Sequence, residues 1–371
     1  MKTRVAVIFG GRSLEHDVSV ITGMQVLGSI DKSKYIVEPI YMRDGDFYVQ
    51  NVDKLDEFVQ FDASRHKKAL LVKGEFFLLK RQGIKKYFKP DVVLVACHGG
   101  EGENGNLQAL LEMNGLAYTS PGVFASSLCI DKEFSKRMFE SMLLPVVPYE
   151  AVGRKEFLHD KQQVVFSLES FLTYPMIVKP ARLGSSIGIS VANDRAELES
   201  AVSFAFEFDD KVVIEQKLEN FAEVNCAAYF DGERVVVSKT EQPIHANDFL
   251  TFADKYEQGG KMSETTRIIP ADIGSLNLVV QAMTERIYRD LDMNGIVRID
   301  YLVDVAKNKV YINEINTVPG SLAFYLFDTD FDKLLASVIE SAKKRKSESG
   351  AAAHFKTDIL SKFKGGVKMR K

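Results

Sequence analysis

The sequence predicts a mixed fold, with a parallel α/β domain at its start and strand-rich α+β structure after it. Three observations carry this reading. The apolar strand R4-V-A-V-I-F9 ends in Gly10-Gly11 and gives way, after a polar turn, to the helical run V18-S-V-I-T-G-M-Q-V-L27. A second buried strand, P90-D-V-V-L-V-A-C-H98, opens onto the glycine loop G99-G-E-G-E-N-G105 and another helix, so strand, turn and helix alternate as in a parallel sheet. Farther on, strands follow one another at 172–191, 211–239 and 297–316 with less helix between them.

The whole chain has 371 residues, enough for two or three cores. Its 46% hydrophobic and 27% charged content is that of an ordinary soluble protein, and a formal charge of -3 exerts no pull toward nucleic acid or an anionic membrane. Cys97, Cys129 and Cys226 lack any C-x-x-C spacing and read as reduced core thiols of a cytoplasmic protein. The opening apolar run is too short for a signal peptide, and no segment is long enough to span a membrane.

In parallel sheets ligands gather at the carboxyl ends of strands, which draws attention to Glu15 and His98. The G10-G-R-S-L-E15 turn lacks the third glycine of a dinucleotide fingerprint. The second glycine loop opens onto a helix N-terminus suited to an anion. A helix over residues 130–142 and the stretch L144-P-V-V-P-Y149 begin a new domain. The segment L172–V191 then reads as a hairpin whose tip, L183-G-S-S-I-G188, offers backbone amides and hydroxyls, with Lys179 just before it: parts that suit polyphosphate. The polar stretch F249–I269, closed by Pro270, reads as a loop over a site. Two late strands break their own apolar character: Arg298 and Asp300 share a face of V297–V303, and Glu314 and Asn316 share a face just before Pro319-Gly320. Set side by side, Asp300, Glu314 and Asn316 make an oxygen-rich cluster for a hard divalent cation. From about residue 343 the chain reads as a basic, solvated extension.

Taken together, F9-G-G-R-S-L-E-H-D-V-S19, H98-G-G-E-G-E-N-G-N-L-Q108, D131-K132, K179-P-A-R-L-G-S-S-I-G188, D254-K-Y256, R298-I-D300 and N313-E-I-N-T-V-P-G320 resemble the D-alanine:D-alanine ligase family of the ATP-grasp superfamily. The resemblance runs from residue 4 to about 322. It implies an N-terminal α/β (pre-ATP-grasp) domain over 1–120, then a two-part ATP-grasp fold with a central part over 121–218 and a C-terminal part over 219–342, and a basic tail over 343–371. It implies that ATP phosphorylates the carboxylate of one D-alanine and that the amine of a second attacks the acyl phosphate, for peptidoglycan precursor synthesis. The implied cofactors are ATP and two Mg²⁺ (or Mn²⁺), held by Asp300, Glu314 and Asn316. Lys132 and Lys179 are implied at the α and β phosphates, Lys255 at the γ-phosphate, Glu215 and the backbone near Leu218 at adenine, and Glu223 at the ribose. Glu15 is implied at the ammonium of the first D-alanine, His98 near its carboxylate, and Arg298 with the N–H of Gly320 at the oxyanion. Ser185 and Tyr256 match a serine and a tyrosine that bond to each other and to the glutamate. A homodimer in the cytoplasm, without nucleic-acid or membrane partners, is also implied.

The bland alternatives are specific. Glu15 reads equally as a capping acid, Lys132 as a surface lysine, His98 as a satisfied core histidine, and Arg298 with Asp300 as a salt bridge without metal. The chain also departs from the family after Gly320, where S321-L-A-F-Y-L-F327 follows with a shortened loop. Either Ser321 and Leu322 keep the family's role at the second carboxylate, or Tyr325 and Leu326 take it. A different second amino acid such as D-serine, another ATP-grasp ligase, a non-catalytic nucleotide binder and a nicotinamide oxidoreductase are the competing functions.

Overall fold

A computed structural model describes residues 2–49, 55–244 and 267–348. The first sheet has eight strands in the order β6-β5-β4-β3-β2-β1-β7-β8, with β1 (Thr3–Gly10), β2 (Tyr35–Arg43), β3 (Asp46–Val49), β4 (Lys67–Val72), β5 (Glu75–Lys80), β6 (Gly83–Phe88), β7 (Val92–Ala96) and β8 (Ala117–Tyr118). Pairings β2–β1, β1–β7 and β7–β8 are parallel, as the sequence predicts. The sheet is nevertheless mixed, because β3 to β6 extend one edge as antiparallel hairpins. The cause is turn chemistry that the periodicity reading passed over. Asp44-Gly45 and Lys73-Gly74 each place both central residues at positive φ, as a tight two-residue hairpin turn requires.

Residues Val5 to Phe9 and Val92 to Ala96 are almost wholly buried, which is why both strands run apolar without alternation. Helix α1 (His16–Ser29) covers the sheet near the exit of β1. The Phe331–Glu348 helix joins the same core through Leu334, Leu335, Val338 and Ile339. It carries residues 343–348, read from sequence as part of a basic tail, into regular structure: Lys343 Nζ donates to Thr3 Oγ1 (2.9 Å) and Arg345 Nη2 to the Tyr118 carbonyl (3.1 Å).

The second sheet is antiparallel, in the order β11-β10-β12-β9, from β9 (Tyr149–Gly153), β10 (Met176–Pro180), β11 (Ser190–Ala192) and β12 (Lys211–Gln216). The expected 172–191 hairpin is β10–β11, with Ser185 and Ser186 at positive φ in its tip. The helix expected over 130–142 is Lys132–Ser141, capped by the Asp131 carboxylate, which accepts from Phe134 N–H (3.2 Å); a further helix, Val123–Ile130, precedes it. The third sheet runs β15-β14-β13-β16-β17, from β13 (Ala222–Phe230), β14 (Val235–Pro243), β15 (Arg267–Ile268), β16 (Ile296–Asp304) and β17 (Lys309–Asn316). Behind it the Leu276–Asp290 helix buries Val280, Met283 and Ile287. Among the described residues no helix is long and apolar enough to cross a membrane.

Candidate active site

Register decides what the third sheet presents. Glu241 on β14 lies opposite Asn225 on β13, Asn225 opposite Asp300 on β16, and Asp300 opposite Glu314 on β17. One cross-strand row therefore carries four polar side chains where apolar ones would be expected. Two residues along, Arg298 faces Asn316. Arg298 grips Asp300 as a fork, Nε to Oδ1 at 2.7 Å and Nη2 to Oδ2 at 2.8 Å, and Asn316 Nδ2 donates to Asp300 Oδ2 at 3.0 Å. The salt-bridge alternative is thus present in the structure, alongside the oxygen cluster. Among the described residues no three His, Cys, Asp or Glu side chains form a metal-holding group. Asp300 and Glu314 supply two acids, and Asn316 an amide.

The four-stranded sheet contributes cations. Lys132 is buried, which removes the surface-lysine alternative; its ammonium donates to the Leu183 carbonyl (2.5 Å) and pairs with Glu314 (3.3 Å). Lys179 donates to Glu215 Oε2 (2.8 Å) and to Asn313 Oδ1 (3.3 Å). The other Glu215 oxygen lies 3.2 Å from Lys136 Nζ, a fully buried lysine that sequence reasoning passed over. Burial alone would raise the Glu215 carboxyl, but the two lysines outweigh it and hold it at about 2. The missed signal was spacing: in D131-K-E-F-S-K136 the two lysines stand four apart on one helix face.

Glu15 sits at the N-cap position of α1 yet makes no side-chain cap. Its carboxylate instead accepts from the Ser185 hydroxyl, so the capping alternative falls. Two glycines explain how it fits. A Cβ on Gly99 would come within 2.6 Å of Glu15 Oε2, and one on Gly184 within 3.0 Å. His98 is buried and spoken for: Nδ1–H donates to the Val318 carbonyl, and Nε2 accepts from Thr22 Oγ1 at 2.7 Å. Thr22 Oγ1 in turn accepts from Ser321 N–H at 3.0 Å. Burial chiefly, helped by the charge of Arg298, pulls the imidazole down to about 4 despite the Val318 bond. Beside it Glu103, also missed from sequence, accepts from Gly99 N–H (2.7 Å), Val318 N–H (2.8 Å) and Thr317 Oγ1 (3.0 Å). Burial and then the nearby Glu15 charge lift its carboxyl to about 7.

After Pro319 the chain forms a 3₁₀ segment, Gly320–Leu326, with Ser321, Leu322 and Ala323 all at φ near +50° (52, 50 and 47). Leu322 N–H turns back onto the Pro319 carbonyl at 2.8 Å. A Cβ on Gly320 would meet nothing within 4 Å.

Most of these groups line one cavity of about 470 Å³ between the three sheets. Its wall includes Glu15, His98, Lys132, Lys179, Ser185, Glu215, Leu218, Glu223, Arg298, Asp300, Glu314, Asn316, Gly320 and Ser321. Leu322 is not part of it; its side chain is buried in the core beneath. Lys255 and Tyr256 lie outside the described residues.

Residues 4–121 match the family model for the D-Ala D-Ala ligase N-terminus and residues 138–334 that for its C-terminus. The chain belongs to the D-alanine–D-alanine ligase family. It is 35% identical over 357 residues to the D-alanine–D-alanine ligase of Thermosipho africanus, covering 93% of this chain and 95% of that one. For the ligase of Caldicellulosiruptor bescii the figures are 34% over 368 residues, 93% and 98%. Among solved structures it is similar to the VanG D-Ala:D-Ser ligase of Enterococcus faecalis (26% identity, TM-score 0.78, 92% of this chain and 100% of that one). It is likewise similar to the D-alanine–D-alanine ligase of Helicobacter pylori (27%, 0.74, 91% and 98%). The two family models leave out residues 122–137, which hold the Val123–Ile130 helix and the start of the Lys132–Ser141 helix.

Proposed function

We propose that the cavity joins two D-alanines at the expense of ATP, as the family does. A carboxylate is a poor acyl donor because its leaving group would be oxide. One oxygen of the first D-alanine's carboxylate attacks the γ-phosphorus, ADP leaves, and the acid becomes an acyl phosphate. The second D-alanine's amine attacks that carbonyl carbon, a tetrahedral oxyanion forms, the amine loses a proton, and phosphate departs with the bonding pair.

The residues divide this work by charge. Lys132 and Lys179 suit the α and β phosphates, and Lys255 the γ-phosphate. Glu215 and the backbone near Leu218 suit adenine, and Glu223 the ribose hydroxyls. Asp300, Glu314 and Asn316 offer two carboxylates and an amide oxygen on neighbouring strands, a donor set that would hold Mg²⁺ or Mn²⁺. Such ions, when bound, neutralise phosphate charge during transfer. Glu15, held by Ser185, suits the ammonium of the first D-alanine, and Tyr256 suits a further bond to the same pair. The Arg298 fork spends Nε and Nη2 on Asp300, which leaves Nη1 and the Gly320 N–H for the oxyanion. His98 differs from the implied reading. With both ring nitrogens engaged inside the protein, it acts on the first carboxylate's surroundings by fixing Val318 and, through Thr22, Ser321.

The observation that carries the proposal is the carboxylate of Glu15, reached by Ser185 from 170 residues away and closed in by two glycines, on the same cavity as Asp300 and Glu314. A cytoplasmic homodimer is part of the same reading. Phosphate release with ATP, Mg²⁺ and a panel of D- and L-amino acids, with the product weighed by mass spectrometry, tests it. D-alanine-dependent release yielding the dipeptide is expected; its absence overturns the reading. Glu314→Gln is expected to abolish release while leaving the circular dichroism spectrum unchanged.

A further inference from the structure

We propose that Arg267 binds the α-carboxylate of the acceptor amino acid, and that Glu241 and Tyr325 are the residues that position it. This rests on the ligase reading above and adds the acceptor subsite to it.

The N–H groups of Ser321 and Leu322, one of the two pairs considered for that task, are already engaged. Ser321 N–H donates to Thr22 Oγ1 and Leu322 N–H to the Pro319 carbonyl. The run of left-handed residues from Ser321 to Ala323 turns the chain into the core instead of presenting its amides as an open anion cradle. A carboxylate entering the cavity therefore needs a cation. Among the described residues four cationic side chains line it: Lys132, Lys179, Arg267 and Arg298. Lys132 and Lys179 each hold a carboxylate and an amide or carbonyl oxygen, and Arg298 spends two donors on the Asp300 fork.

Among the described residues Arg267 is committed far less. Its Nη1 pairs with Glu241 Oε1 at 3.2 Å, and its guanidinium lies over the Tyr325 ring at 4.5 Å from the centroid. A guanidinium carries five donors, so one pairing leaves an edge for a bidentate carboxylate. Its support is built. Glu241 is 4% exposed against 29% for Arg267, and its second oxygen accepts from Asn225 Nδ2 (3.1 Å) and the Tyr325 hydroxyl (3.3 Å). The stack and the ion pair hold the guanidinium plane from two directions. The place is also right. Glu241 and Asp300 are two strands apart on the cross-strand row, roughly 10 Å at sheet spacing. The acceptor's carboxylate thus lies at the Glu241 end and the phosphates at the Glu314 end, with Arg298 on the intervening β16. Tyr325 belongs to the stretch after Gly320 where the chain departs from the family, and it lines the same cavity.

Two partial reactions separate this from the reading it rests on. Hydroxylamine traps the acyl phosphate of a single D-alanine as the hydroxamate and has no carboxylate, so it reports the donor half alone. Wild type is expected to form the hydroxamate, and to use D-alanine over D-alaninamide as acceptor by a wide margin. Arg267→Gln is expected to leave hydroxamate formation within about two-fold, to raise the acceptor KM by about 10- to 100-fold, the range of a charge-assisted hydrogen-bond pair, and to erase the preference for D-alanine over D-alaninamide. Because Arg267→Gln strips a buried acid of its partner, the double variant Arg267→Gln/Glu241→Gln, with a wild-type melting profile, is measured beside it. Tyr325→Leu is expected to move the same preference in the same direction by a smaller factor. No hydroxamate from wild type sinks the ligase reading. Normal hydroxamate with an unchanged D-alanine to D-alaninamide ratio in the Arg267 variants overturns this inference, and a ratio that collapses in Ser321→Ala alone overturns it in favour of the Ser321 hydroxyl.

Discussion

His98 gives the sharpest thermodynamic test. Its imidazole is neutral in the folded protein, donating to Val318 and accepting from Thr22, and burial pulls its pKa from 6.5 to about 4. A depressed pKa means that the unfolded chain binds the proton first. The contribution of His98 to stability is therefore full above pH 6.5 and lost as pH falls toward 4. Linkage with these two values puts the loss at about 2 kcal/mol near pH 5. His98→Gln removes the titration but keeps an amide that donates and accepts, at a cost near neutrality of about 1 kcal/mol for the poorer geometry. Urea denaturation of both proteins near pH 8 and near pH 5 isolates the term, because Glu103 and every other group titrate in both. Wild type is expected to lose about 2 kcal/mol more than His98→Gln over that interval. Parallel losses would refute a neutral, doubly bonded His98, and with it the tie from α1 through His98 to the Pro319–Ser321 turn.

Two glycine variants are expected to behave oppositely. Gly99→Ala sets a methyl 2.6 Å from Glu15 Oε2 at a φ of +62°, so it is expected to displace the carboxylate and lower kcat/KM for the first D-alanine about 100-fold, read by steady-state kinetics. Gly320→Ala meets nothing within 4 Å, so its melting temperature is expected to match wild type while kcat falls, since the methyl enters the space assigned to the oxyanion. Lys136→Met removes one of two cations from Glu215; the KM for ATP is expected to rise about tenfold with the D-alanine KM unchanged, as one weakened charge-assisted contact predicts.

Local pattern was enough to place much of this protein. The strands ending at Gly10 and His98, the serine-tipped hairpin and the i, i+2 pairs at Arg298/Asp300 and Glu314/Asn316 are short-range statements, and each element lies where it was expected. The hairpins from β3 to β6 were equally local but hid behind a different signal, paired positive-φ turns in place of apolar periodicity. Lys136 and Glu103 were harder. Each looks like a solvated charge in sequence, and each is buried only because a strand or turn distant in sequence arrives against it: Glu215 on β12 for the first, Thr317 and Val318 for the second.

The Glu241–Asn225–Asp300–Glu314 row marks where local reasoning ends. Period two assigns Asp300 and Glu314 to one face of their own strands, but which residues of β13 and β14 stand beside them depends on register. Here register is broken twice, between Cys226 and Ala228 and between Asp300 and Tyr301. A slip of one residue would have put Val224 or Cys226 opposite Asp300 and turned Glu241 away from the cavity. The bulge in β14, where Ser238 and Lys239 stand against Ala227 alone, therefore has a chemical consequence: with it, Asn225 bridges toward Glu241, and Glu241 meets Arg267 and Tyr325, which come from segments 26 and 84 residues farther along the chain. Motifs name the phosphate end of the row because its residues are neighbours in sequence. Its acceptor end is assembled from four separate segments, and so the geometry, not the motif, identifies what waits there for the second amino acid.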